Sequence, residues 1–290
     1  MHPTIEKLLS TGPVMIDGAW GTQLQQRGLP VGACPDAWSL SQPDKVEEVA
    51  RAYVEAGSQI ILTNTFGANR FILARHHLAD RVAEVNRAGV AASCRAAAGR
   101  AKVFASIGPT GVLLMMGQVS EAELKAAFVE QAQAIAEAGA DGIVIETMSD
   151  PAEACIAVAA AQETGLPVVA GMTFDSGAKK DRTMMGATPE QAAEQLTAAG
   201  ADVIGSNCGQ GIAGIVEVCR RLHAATDRPI WIKANAGLPE VIEGKTLYRQ
   251  SPEEFAAYVP QLIEAGASFI GGCCGTTPDF IRAVAEKLKK

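Results

Sequence analysis

Three of the seven cysteines in this 290-residue chain stand where they could act together. Cys208 lies in the run SNCGQG, and Cys273 and Cys274 lie in GGCCGTTP; each run ends a short apolar stretch and is rich in glycine. Thiolates are soft ligands suited to zinc, and three of them leave a fourth position for water or substrate. Neighbouring side chains on a regular strand point oppositely, so Cys273 and Cys274 can share an ion only where the strand breaks. Gly271, Gly272 and Gly275 permit that break. Burial as small hydrophobes or a vicinal disulfide are the alternative readings of the three. Cys34, Cys94, Cys155 and Cys219 read as buried apolar side chains, the first in a loop and the others on helices. An odd cysteine count with no visible secretory signal predicts reduced thiols and a cytoplasmic location, not a disulfide framework.

Two carboxylates share the setting. Asp17 opens DGAWGT and Glu146 stands in IETMSD, both just past apolar runs. Either could simply cap a loop; functionally they could hold a substrate ammonium, with backbone N–H groups near Gly18 and Ala19 taking a carboxylate. Asn235, in NAGLP, could be an outer donor or a provisional fourth metal ligand, or could brace the turn at Gly237. His2, His76, His77 and His223 are away from these sites, so no histidine general base is expected and the metal centre carries the catalysis. Gly271-Gly272 followed by Thr276-Thr277-Pro278 also suits a phosphate site. An anionic three-thiolate centre beside it argues against that reading.

The elements that must position these residues are legible from a repeated pattern. A helix end, an Ala-Gly-Ala-like turn and an apolar run recur at YVEAGSQIILTN, IAEAGADGIVIET, LTAAGADVIGSNC and LIEAGASFIGGCC. The glycines Gly57, Gly139, Gly200 and Gly266 sit where a helix C-terminus needs a left-handed residue. The apolar runs lack clean alternation, as strands buried on both faces do. Further runs at 14–17, 103–107, 168–172 and 230–234 bring the strand candidates to eight. Helices are expected at 43–56, about 80–99, 121–138, 151–164, 189–199, 212–225, 252–265 and 278–288. Asp150-Pro151, Thr188-Pro189, Ser251-Pro252 and Thr277-Pro278 supply N-caps with proline at the first helical position. Eight strand–helix units of about 36 residues predict a single (β/α)8 barrel over 1–290. A doubly wound open sheet is the alternative; no GxGxxG opens the first turn, and no composition break marks a second domain. In a barrel, the C-terminal strand ends share one rim, and Asp17, Gly18, Ala19, Glu146, Cys208, Asn235, Cys273 and Cys274 all fall on it.

Composition limits the partners. Lys and Arg number 25 and Asp and Glu 32, a formal charge of −7, which gives no electrostatic footing on nucleic acid. No apolar stretch reaches 18 residues, so no membrane helix is expected.

The motifs DGAWGT, TNTFGANR, GPTG, IETMSD, GSNCGQG, NAGLP and GGCCGTTP, over about residues 13–288, resemble the homocysteine S-methyltransferase family, most of all the homocysteine-binding module of cobalamin-dependent methionine synthase. The resemblance implies a zinc-dependent β/α barrel with Cys208, Cys273 and Cys274 as ligands and homocysteine as acceptor. It places Asp17, Gly18 and Glu146 at the amino-acid end of that substrate. The chain stops short of folate and cobalamin modules, so the expected methyl donor is a separate methyl-corrinoid protein. Trp20 stands where the family usually has methionine, and Trp20, Phe66 and Phe174 are the rim aromatics. Bound to zinc, a thiol is deprotonated and stays nucleophilic, so it attacks a methyl group without a base. The alternatives are another thiol acceptor, a betaine or sulfonium donor in a demethylating pathway, and a non-catalytic zinc barrel that docks a corrinoid partner.

Overall fold

A computed structural model describes residues 1–242 and 245–288. Eight parallel strands form one sheet: β1 (Val14–Met15), β2 (Ile60–Ile61), β3 (Lys102–Ile107), β4 (Gly142–Met148), β5 (Val168–Met172), β6 (Val203–Cys208), β7 (Ile230–Ala234) and β10 (Ala267–Gly272). Their order is β1-β10-β7-β6-β5-β4-β3-β2. A parallel bridge between Ile16 and Ile60 joins the two ends, so the sheet rolls into a (β/α)8 barrel with one thin seam. Gln59 stitches that seam: its N–H donates to Met15 O at 2.8 Å, and its side-chain oxygen accepts from Met15 N–H at 2.9 Å.

The expected chain punctuation is present. Gly57, Gly139, Gly200 and Gly266 all have φ between 87° and 101°. Ser120, Thr188 and Ser251 form capping boxes on the helices they precede. Three differences have physical causes. The helix expected over 252–265 is two, Pro252–Ala256 and Val259–Glu264, because Pro260 cannot donate into a continuous ladder. An extra helix, Pro3–Leu9, is capped by His2 and brings Ile5 into the barrel-interior cluster. A short antiparallel hairpin, β8 (Glu240–Ile242) with β9 (Lys245–Leu247), lies between β7 and β10.

The barrel interior explains how the site is positioned. Val14, Ile16, Leu62, Phe104, Val144, Val169, Val203, Trp231 and Phe269 pack as one apolar cluster. Trp231 fills its centre, 6.3 Å from the Phe104 ring and 5.3 Å from Phe269. Side chains alternate along a strand, so two residues further on the same interior face continues. There it turns polar: Phe104 gives way to Ser106, Val144 to Glu146, and Trp231 to Lys233. The C-terminal end of the barrel thus carries buried charge on a rigid apolar floor.

Candidate functional site

Cys208, Cys273 and Cys274 converge at this polar end, their sulfurs all within 4.8 Å of one another. Cys208 Sγ lies 3.0 Å from Cys273 Sγ and 3.9 Å from Cys274 Sγ. The strand breaks where the glycines allow. Gly272 N–H donates to Asp17 O at 2.9 Å, and a Cβ at Gly271 would stand 2.5 Å from that same oxygen. The thiol-bearing loop therefore packs directly against the DGA loop. Thr276 pins the two together: its hydroxyl donates to Cys273 O at 2.8 Å and accepts from Ala19 N–H at 3.1 Å. Thr276 is fully buried in this role, which leaves it unable to serve a phosphate.

The donor set fits a soft divalent cation. Hydrogen bonds from Cys208 and Cys273 hold the Cys274 thiol far down, at about 3, with Tyr248 donating as well. A hydrogen bond from Cys208 lowers Cys273, but its own donation to Cys274 and burial prevail and push it up to about 12. Cys208 rises well above the usual thiol range through the hydrogen bonds it gives to both others. A cation at this point would favour all three as thiolates. A tetrahedral site with zinc–sulfur bonds of about 2.3 Å has sulfur–sulfur edges of about 3.8 Å, close to the longer separation here. Asn235 supplies a further polar atom on this side. Cys273 N–H donates to Ala234 O and Ala236 N–H to Cys274 O, so Asn235 sits between two anchors of the cysteine loop. Its Nδ2 donates to Gly209 O at 3.2 Å, while its buried Oδ1 has no partner among the described residues.

The three cysteines form one wall of a cavity of about 520 Å³. Gly18, Ala19, Trp20, Phe66, Glu146, Thr147 and Lys233 line it too. Phe174 does not; it lines a separate 170 Å³ cavity on another side of Cys208. Glu146 is only 9% exposed, and its Oε1 accepts from Ser106 Oγ at 2.5 Å. Burial pushes its carboxyl up to about 7, against the pull of Lys233.

Asp17 departs from expectation. It does not stand free at the rim to meet a ligand's ammonium. It is 0% exposed and paired with Lys233 Nζ through Oδ1 at 2.5 Å. Its Oδ2 accepts from Leu62 N–H at 2.7 Å and Trp20 Nε1–H at 2.8 Å. That lysine lies 216 residues away in sequence. Burial disfavours the Lys233 ammonium, but Asp17, Glu146 and Cys273 around it prevail and keep its pKa above the ordinary value. Of the two expected amides, that of Ala19 is committed to Thr276. Gly18 has no room for a side chain, since a Cβ there would lie 2.7 Å from Tyr53 Oη.

Sequence reasoning missed Lys233, Asn207 and Tyr248. A signal existed for the first: lysine is almost never fully buried unless paired, and Lys233 sits in the doubly covered run IWIKA.

A family model described as Homocysteine S-methyltransferase matches residues 14–288. The chain is 32% identical over 97% of its length to a methionine synthase of Mycobacterium tuberculosis. It is 31% identical over 94% of its length to a methionine synthase of Mycobacterium leprae. It spans about a quarter of the length of these relatives, 25% and 24% respectively. Among solved structures, the homocysteine methyltransferase MmuM of Escherichia coli in its metallated form superposes with a TM-score of 0.81, at 23% identity and 100% coverage of both chains. At that identity the superposition speaks for the fold.

Proposed function

Since the chain belongs to the homocysteine S-methyltransferase family, we propose that it transfers a methyl group to the sulfur of homocysteine, forming methionine, at a zinc ion held by Cys208, Cys273 and Cys274. The observation that carries this reading is the meeting of three sulfurs and a buried carboxyl on one cavity. The first suits a thiol and the second an ammonium, and homocysteine bears both. Zinc would bind the acceptor thiol as thiolate at neutral pH, where a free thiol of pKa about 8.5 is a few per cent ionised.

The chain's own residues do the rest. Glu146 meets the ammonium, and that positive charge draws its carboxyl towards the ionised form. Lys233 and Asp17 form a fixed ion pair beneath the site; the lysine's charge offsets the anionic sulfurs, and the aspartate fixes the Trp20 indole at the cavity wall. Gly18 offers its backbone N–H to the substrate carboxylate. Asn235, whose oxygen beside the cysteine loop has no partner among the described residues, supplies an additional polar group to the centre. No side chain is asked to remove the thiol proton in the transfer step.

For the donor, the likeness to two methionine synthases favours a methyl-corrinoid protein. The competing onium donor draws on Trp20 and Phe66, whose rings line the same cavity and could face a methylated cation. The test is direct: zinc-loaded protein with homocysteine and, in parallel, methylcobalamin, a methylsulfonium and a betaine. Methionine formation from one of these supports the reading and selects the donor class. Zinc binding without methionine from any of them favours the non-catalytic, docking alternative.

A further inference from the structure

Glu146 and Thr147 are adjacent on β4, yet both line the cavity. A regular strand forbids this, because successive side chains point to opposite faces. The pairing of β4 with β5 shifts register between Ile145 and Met148, and Thr147 has φ 61°, a left-handed conformation that a β-branched residue rarely takes. Something must hold it there.

Asn207 does so from two strands away. Its Oδ1 accepts Thr147 N–H at 2.7 Å, and its Nδ2 donates to Thr147 Oγ1 at 2.7 Å. The side chain reaches β4 across β5 because Gly171 lies in its path. A Cβ built at Gly171 would already touch Asn207 Oδ1 at 3.5 Å, so a larger side chain would block the crossing. The remaining Nδ2–H faces the sulfurs, 3.6 Å from Cys208 and 3.9 Å from Cys273. Asn207 is 1% exposed, and Cys208, the next residue, is itself left-handed at φ 60°. One buried amide thus spends both N–H groups and its oxygen on the two halves of the site.

We propose that Asn207 is a positioning residue that couples the two ends of the site. Through Thr147 it fixes the irregular end of β4 that immediately follows Glu146 and brings Thr147 onto the same cavity, and through its second N–H it braces the sulfurs of Cys208 and Cys273. The Glu146 half rests on the reading that this carboxylate meets the substrate ammonium; the sulfur half does not. Hydrogen bonds from such outer partners are worth about 10–100-fold in metal affinity.

Two substitutions separate the halves. Asn207→Asp keeps an acceptor for Thr147 N–H and lets the Thr147 hydroxyl donate instead, so that strand end survives. It loses every donor to sulfur and adds negative charge there. Asn207→Ala loses both halves. Zinc affinity is read by chelator competition, the sulfur environment by the charge-transfer bands of the cobalt(II)-substituted protein, and the ammonium end by the ratio of KM for homocysteine to KM for a simple thiol without an amino group. In Asn207→Asp, zinc affinity should fall at least tenfold and the cobalt bands should shift, with the KM ratio near wild type. In Asn207→Ala, zinc affinity should fall and the preference for homocysteine should drop about tenfold. If Asn207→Asp keeps wild-type zinc affinity and cobalt bands, or if it loses the KM ratio while Thr147 is still held, the coupling is wrong. Should Asn207→Ala fail to fold, Asn207→Asp still decides. Wild-type protein that binds zinc but shows no preference for homocysteine would overturn the ammonium reading, and the zinc and cobalt measurements would still judge the brace.

Discussion

Replacing Lys233 with methionine probes the ion pair that sequence reasoning overlooked. Lys233 is 2% exposed and Asp17 0%, with Nζ and Oδ1 2.5 Å apart. At an effective dielectric near 20, the attraction at that distance is about 6–7 kcal/mol, and the cost of burying both ions consumes much of it. Lys233→Met keeps the volume but strands the aspartate, and a buried pair cut on one side typically costs about 3–5 kcal/mol. Leu62 N–H and Trp20 Nε1–H still serve Asp17, which places the loss near about 3 kcal/mol. For a chain of 290 residues this is a fall in Tm of about 5 °C. The double variant Asp17→Asn/Lys233→Met removes both charges and leaves an oxygen for Leu62 N–H; it should recover most of the loss. Chemical denaturation of the three proteins is the assay. A single variant costing under about 1 kcal/mol, or a double variant no more stable than Lys233→Met, would refute a buried ion pair as the organiser of this floor.

Glu146→Gln should lower kcat/KM for homocysteine by about ten- to a hundred-fold, as expected for losing a charge-assisted hydrogen bond, while zinc stays bound. A simple thiol without an amino group should react with both proteins alike; equal damage to both thiols would show that Glu146 does not read the ammonium. Because burial raises the Glu146 carboxyl to about 7, the KM for homocysteine should climb as pH falls below 7, and Glu146→Gln should lack that limb. The same shift has a stability side: between pH 4.5 and 7 the folded state holds the extra proton, so stability declines as pH rises through that window, and Glu146→Gln should flatten the slope in a pH series of melts. Cys208→Ala, Cys273→Ala and Cys274→Ala should each lose zinc and activity together, whereas Cys94→Ala and Cys155→Ala keep both; metal analysis after dialysis distinguishes them.

The barrel was legible because its signals are local. A glycine that must be left-handed, a buried apolar run and a capped proline recur in order, and each needs only its neighbours in sequence. The cysteines were legible for a related reason, since their glycine-rich runs fall at the strand ends that a barrel gathers on one rim. What escaped was pairing across the barrel. Asp17 looks like a free rim acid until Lys233, 216 residues on, is known to face it. Asn207 reads as a neighbour of Cys208, and only the register of β4, β5 and β6 reveals that it reaches Thr147 over Gly171. The polar layer was in principle visible, because Glu146 and Lys233 each follow by two residues a bulky apolar side chain on the inward face.

The measurement closest to the central claim is zinc-edge X-ray absorption of the purified protein with and without homocysteine. Three sulfur neighbours at about 2.3 Å are expected before addition and four after it, with the lighter fourth ligand lost. A sulfur count that stays at three in the presence of saturating homocysteine would contradict that claim.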